Sequence, residues 1–256
     1  MKLTILGCGT YQPELTRHAS GYLLEIGQQK IIFDFGRGAL DQLLKLGVNY
    51  YDLDYIFISH THADHCAELG PFLHIALAEP SKGKFRKNDI TIYGPLGLKK
   101  TIYYLLRAFG LDKHRPLHSV FIKEIKDESQ IKNRAWTITS YAVNHSKPRH
   151  CLAYRIKSSG KIFCYSGDTG DCSGLRKAAA AADLAVVETS EPKIIKSANH
   201  LNGDQVGKIA RDCQVKKLIL THIAPYYLKN FNVIKEVKEN YQGPVGIAKD
   251  LMKLAL

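Results

Sequence analysis

The chain has 256 residues, 45% of them hydrophobic, and 36 Lys and Arg against 24 Asp and Glu give a formal charge of +12. That length and apolar content suffice for one large core burying about three quarters of the unfolded surface. No Pro/Ser-rich linker, low-complexity block or fixed-period repeat interrupts it, and no apolar stretch approaches the roughly 20 residues that span a bilayer.

Strand-like runs are expected at 1–6, 21–26, 30–35 and 55–59, with a helix from Ala39 to Leu46 ended by Gly47. The run Tyr55-Ile56-Phe57-Ile58 leads into Ser59-His60-Thr61-His62-Ala63-Asp64-His65, where His60, His62, Asp64 and His65 are candidate metal ligands. A strand that ends in a tight turn can aim several side chains at one point, because the turn breaks the alternation of faces. Crowding three imidazoles and a carboxylate is unfavourable unless a cation collects them, since protonated imidazoles repel and a buried carboxylate loses hydration. Helices follow at about 67–78 and 97–109, separated by the densest basic run, Pro80 to Asn88.

The second half carries strands near 120–125, 136–143, 151–157, 161–166, 184–188, 217–221 and 245–248, and helices near 173–181, 203–213 and 232–240. Three of those strands repeat the arrangement at His60: an apolar run meets His145, Asp168 or His222 within a few residues. Four strand ends in order supply His60, His62, Asp64, His65, His145, Asp168 and His222, enough for two metal ions with one bridging carboxylate. Two ions about 3.5–4 Å apart share a water, lower its pKa towards neutrality and clamp both sides of a displaced group. The periodicity indicates an α/β chain rich in sheet.

These motifs resemble the metallo-β-lactamase superfamily over nearly the whole chain. The resemblance includes the strand and glycine turn at Leu3 to Thr10, the turn Phe33-Asp34-Phe35-Gly36, and the ending Ala248 to Met252. It implies a four-layer αββα sandwich in a single domain over 1–256. It also implies that His60, His62 and His145 hold one metal, Asp64, His65 and His222 the other, and Asp168 bridges. His-rich sites with carboxylates favour Zn2+, with Mn2+ or Fe2+ chemically allowed.

Within the superfamily, Leu184 to Ser190 and His200 to Val206 resemble the RNase Z branch, where a strand-end Glu orients a His that protonates the departing oxygen. By that resemblance Glu188 and His200 would be those residues here, and Asp64 would help orient the attacking water while ligating. A placed acid contributes roughly 10²–10⁴-fold, and phosphodiester hydrolysis needs it because an expelled alkoxide leaves poorly. Thr91 to Gly97, His145-Ser146 and Tyr165 to Thr169 also match that branch. After His222, however, Ile223-Ala224-Pro225 replaces its Ser and Arg, and Arg37 stands where it has an acidic residue. Only 23 positions separate His145 from Asp168, too few for the long tRNA-clamping arm.

The expected activity is therefore a dinuclear phosphodiesterase or RNase Z-like nuclease acting on RNA or a nucleotide diester. Its alternatives are a hydrolase of a lactone, thioester or lactam, and a basic nucleic-acid-binding protein with an inactive metal site. The positive charge, with Lys147-Pro148-Arg149-His150 just beyond one candidate ligand, suits an anionic partner. RNase Z relatives are often dimers, so a homodimer is among the implications. Met1 to Ile5 enters a strand pattern directly, which makes the cytoplasm the expected location and a membrane role unexpected. Cys8, Cys66, Cys151, Cys164, Cys172 and Cys213 form no Cys-x-x-Cys pair, against a zinc ribbon or disulfide framework, although Cys66 and Cys172 fall near the metal motifs. His18, His74, His114, His118 and His150 are expected in structural or surface roles, with His18 closest to a cleft.

Overall fold

The computed structural model describes residues 1–77, 89–112, 120–147 and 150–256. The basic run Pro80 to Asn88, together with His114, His118, Pro148 and Arg149, lies outside the described residues. In chain order the strands are β1 Lys2–Gly7, β2 Gly21–Ile26, β3 Gln29–Phe35, β4 Tyr55–Phe57, β5 Ile90–Gly94, β6 Val120–Glu124, β7 Gln130–Lys132, β8 Thr137–Val143, β9 Cys151–Ser158, β10 Lys161–Tyr165, β11 Leu184–Glu188, β12 Leu218–Thr221, β13 Val245–Ile247 and β14 Lys253–Ala255. They form two seven-stranded sheets, ordered β14-β1-β2-β3-β4-β5-β6 and β13-β12-β11-β10-β9-β8-β7. Both are mixed: β3 to β6 run parallel, as do β10 to β13, and the remaining pairs are antiparallel.

Alternation along the strands builds the layers. Ile31 and Phe33 of β3, Phe57 of β4, Tyr154 and Ile156 of β9, and Phe163 and Tyr165 of β10 meet in the core between the sheets. Their neighbours point outward. Ile32 and Ile56 pack under α1 Ala39–Lys45, α3 Leu69–Leu77 and α4 Leu98–Ala108. Ala153, Cys164, Ala185 and Leu220 pack under α5 Ser173–Ala179, α6 Gly203–Asp212, α7 Pro225–Asn230 and α8 Val233–Lys238. Helix, sheet, sheet, helix is the expected four-layer αββα sandwich. Because most strands are buried on both faces, they read as near-continuous apolar runs.

Most expected elements are present, with small shifts at their ends. The helix expected over 67–78 is α3, and an unanticipated single turn, α2 Ala63–Cys66, precedes it. Not anticipated are β5, β7, β14 and α7. Among the described residues no helix is long and apolar enough to cross a membrane.

Candidate metal centre

The candidate ligands all follow the C-terminal ends of strands, where chain turns leave the sheets side by side: His60 to His65 after β4, His145 after β8, Asp168 after β10 and His222 after β12. The structure brings all seven together. His60, His62 and His145 form one group and Asp64, His65 and His222 another, with ligand atoms in each within 4.8 Å of one another. Asp168 lies between the groups, its oxygens 3.9 Å and 3.7 Å from Nε2 of His60 and His145, and 3.3 Å and 3.5 Å from Nε2 of His65 and His222.

The outer nitrogens of the rings settle which atoms face inward. His65 Nδ1–H donates to Asp34 Oδ2 at 2.6 Å. Ser59 Oγ donates to the same carboxylate at 2.7 Å and accepts from His60 Nδ1–H at 3.1 Å. His145 Nδ1–H donates to the Asn199 carbonyl at 3.2 Å. His222 Nδ1–H donates to Ser190 Oγ at 2.9 Å, whose own hydrogen goes to Glu188 Oε2 at 2.8 Å. With those protons spent, Nε2 of each neutral ring presents a lone pair to the interior.

That interior is all acceptors. His60 Nε2 and His145 Nε2 lie 2.9 Å and 3.1 Å from His62 Nδ1, close to the separation of about 3.3 Å that two nitrogens take on one tetrahedral zinc. His65 Nε2 and His222 Nε2 are 3.4 Å apart, and Asp64 Oδ2 is 3.2 Å from the latter. Asp168 Oδ1 is buried without a hydrogen-bond partner. Lone pairs facing one another at this distance repel, so the donor set fits divalent cations better than any arrangement of protons.

Charge on the cluster tells the same story. Burial, reinforced by neighbouring imidazoles, pushes His60 well below its ordinary value, and burial lowers His145. Burial alone would lower His65 too, but the Asp168 and Asp34 carboxylates outweigh it and drive that ring well above the usual histidine range. Burial likewise works against the Asp168 carboxylate, yet His222 and His65 hold it well below the ordinary range.

Glu188 and His200 also meet at the cluster. The His200 ring is 4.7 Å from that of His145, and its Nδ1–H donates to Glu188 Oε1 at 2.8 Å. Glu188 is buried at the end of β11 and accepts backbone N–H from Thr169 and Ser190 as well. Burial opposes protonation of His200, but the Glu188 hydrogen bond and charge prevail and raise it to about 9. A cleft of about 450 Å³ exposes His62, Asp64, His145, Asp168, His200 and His222, rimmed by Thr10, Tyr11 and Gln12.

Sequence reasoning missed the groups behind the ligands. Asp34 has φ 53, and this left-handed residue breaks the alternation of β3: Phe35 joins Ile32 in the outer layer, and the carboxylate turns to the strand end. There it also accepts the Ser59 N–H at 2.6 Å and the Tyr165 hydroxyl at 2.5 Å. A carboxylate at the end of Ile31-Ile32-Phe33 was the available signal. Ser59 and Ser190 gave none. His18 does not line the cleft, although its loop does; its ring pairs with Asp250 at 2.6 Å. Cys66 is buried with Sγ donating to the His62 carbonyl at 3.2 Å, burial pushing its thiol up to about 12, and Cys172 Sγ lies 3.6 Å from Thr169 Oγ1. Neither belongs to the ligand groups.

Comparison with known proteins agrees with this geometry. The sequence profile of the Beta-lactamase superfamily domain matches residues 29–223. The ribonuclease Z of Archaeoglobus fulgidus is 23% identical over 306 aligned positions, covering 99% of this chain and 97% of the relative. Among solved structures, the metallo-beta-lactamase fold protein YhfI from Bacillus subtilis superposes with a TM-score of 0.83 at 25% identity, covering 99% of each chain. Human tRNase Z, short form, shares the fold with a TM-score of 0.78 at 23% identity, covering 100% of this chain and 99% of that one.

Proposed function

The chain belongs to the beta-lactamase superfamily, whose fold implies divalent-metal binding and hydrolysis, and we propose that its substrate bond is a phosphodiester. The observation that carries this reading is the Glu188–His200 pair, joined at 2.8 Å and opening on the same cleft as the ligand groups. When bound, paired divalent ions supply a water deprotonated near neutral pH and offset charge on the phosphoryl oxygens.

The chain's own residues do the rest. His60, His62 and His145 would hold one ion and Asp64, His65 and His222 the other, with Asp168 within reach of both groups and zinc favoured by the donors. Asp64 also orients the attacking water. His200 keeps its Nδ1–H on Glu188, so the proton it can give is on Nε2, facing the cleft. With its affinity for protons raised to about 9, it is charged at neutral pH and protonates the leaving oxygen. Ser190 ties this acid to the second ligand group, since it bonds both Glu188 and His222.

The ribonuclease Z relative supports a substrate that is RNA or a nucleotide diester. The 306 aligned positions exceed the 256 residues here, in keeping with a missing arm, so the reading does not extend to precursor-tRNA processing. Six cysteines without a disulfide suit a reducing compartment such as the cytoplasm.

The test is a substrate panel with metal-loaded protein: a chromogenic phosphodiester, a lactone, a thioester and a β-lactam. Turnover of the diester, lost in His200→Ala for alkyl leaving groups, is expected. Turnover of a carbonyl substrate with silence on every diester would replace the proposal with its carbonyl alternative.

A further inference from the structure

His200 lines the cleft beside Tyr11, which shares His145 with a second hollow. That hollow adjoins a third. The second, about 820 Å³, borders His145, and the third, about 600 Å³, begins at Thr61 between two ligand histidines and runs over the start of α4; His150 lines both. Among the described residues, Lys100, Lys126 and Lys147 line this trough against one carboxylate, Asp127, whose Oδ1 already accepts the Ala142 N–H at 2.8 Å. Lys100 and Tyr104 are four residues apart on α4 and share a face. Tyr104 is 57% exposed and the Lys100 ammonium sits 6.0 Å from its ring centre.

An exposed aromatic residue beside a cation in a positively lined trough has the chemistry of a nucleotide site: the base stacks on the ring and the phosphate meets the ammonium. The geometry points to a nucleotide subsite built on Lys100, Tyr104 and His150, which holds the nucleotide flanking the scissile phosphate. Since His200 lines the Tyr11 cleft and neither hollow of the trough, the leaving alcohol departs into that cleft, and the trough keeps the part of the substrate that retains the phosphoryl group. This rests on the phosphodiesterase reading and deepens it. The base that the subsite takes is unpaired, because only a free base can stack.

Two measurements test the subsite. The first compares p-nitrophenyl phosphodiesters that share a leaving group and differ in the retained part: methyl, one nucleoside, or a tetranucleotide. The second is binding of a labelled single-stranded RNA tetranucleotide by fluorescence anisotropy. kcat/KM should rise roughly ten-fold or more from methyl to tetranucleotide, and Lys100→Ala/Tyr104→Ala should erase that gain and weaken RNA binding roughly ten-fold. Lys229→Ala, which removes a charge from α7, should leave RNA binding as it was. No gain with length, an equal gain in the double variant, or equal weakening by Lys229→Ala overturns the subsite and leaves the phosphodiesterase reading standing. If no ester turns over yet the double variant weakens RNA binding, the phosphodiesterase reading falls, and with it the subsite's place beside a scissile phosphate, while nucleotide binding by the trough stands. If neither turnover nor RNA binding is seen, both fall.

Discussion

Asp34→Asn isolates the carboxylate that stands behind both ligand groups. The backbone there has φ 53, a left-handed geometry that Asn tolerates about as well as Asp, so the exchange changes charge and one acceptor only. Asp34 receives four donors: the Ser59 N–H on Oδ1, and Ser59 Oγ, His65 Nδ1 and Tyr165 OH on Oδ2. The amide does least harm with its NH₂ in place of Oδ1, where it opposes one donor rather than three. One charge-assisted bond, about 2 kcal/mol, is lost, and three others weaken by roughly 0.5–1 kcal/mol each. The easier desolvation of a neutral amide returns part of this, leaving a net loss of about 2–4 kcal/mol and a Tm lower by roughly 5–15 °C. With His65 and His60 less firmly oriented, metal affinity should fall about 10–100-fold. Thermal unfolding and competition against a metal-binding dye read the two effects. A variant with unchanged Tm and unchanged metal affinity would refute the idea that Asp34 organises the site.

Four further outcomes are expected. Glu188→Gln and His200→Ala should slow hydrolysis of alkyl phosphodiesters about 10²–10⁴-fold but spare p-nitrophenyl esters, whose leaving group needs no proton; equal losses on both would remove the acid role. Because His200 is raised to about 9, it is protonated below that pH, so wild-type activity on alkyl esters should decline as pH rises through 9 or, with bound cations nearby, somewhat lower; persistence of that limb in His200→Ala would assign it elsewhere. Ser190→Ala leaves His222 Nδ1–H without its acceptor, costs about 1–3 kcal/mol, and should weaken one metal equivalent far more than the other in a two-step titration. Stripping metal with a chelator should lower Tm by roughly 10–20 °C relative to protein held at 100 times the dissociation constant of both ions, about 2.7 kcal/mol for each; coincident melting curves would mean that the cluster binds no ion tightly.

The site was legible where local spacing carries it. His60 to His65 stands out because four ligand types in a short turn have no easy structural explanation, and His145, Asp168 and His222 stand out because each follows an apolar run. The capping box at α6, with Asn202 accepting from the Gln205 N–H and Gln205 returning the bond, marks that helix start directly. What was illegible is what long-range pairing creates. β14 is three residues that become a strand only because Lys2 pairs with Ala255. The left-handed turn at Asp34 cannot be read from Phe33-Asp34-Phe35, and Ser59 and Ser190 acquire their roles from rings distant in sequence. α7 had a signal, Pro225 at its first position, but six residues are too few for a periodic pattern.

Anomalous diffraction at the zinc edge from crystals of the metal-loaded protein asks most directly whether seven side chains gather a pair of cations. Two peaks about 3.5–4 Å apart, flanking Asp168 and each capped by one of the two histidine-bearing groups, are the expected result. A map with no peak at those residues, or with an ion bound only elsewhere on the chain, would contradict the account.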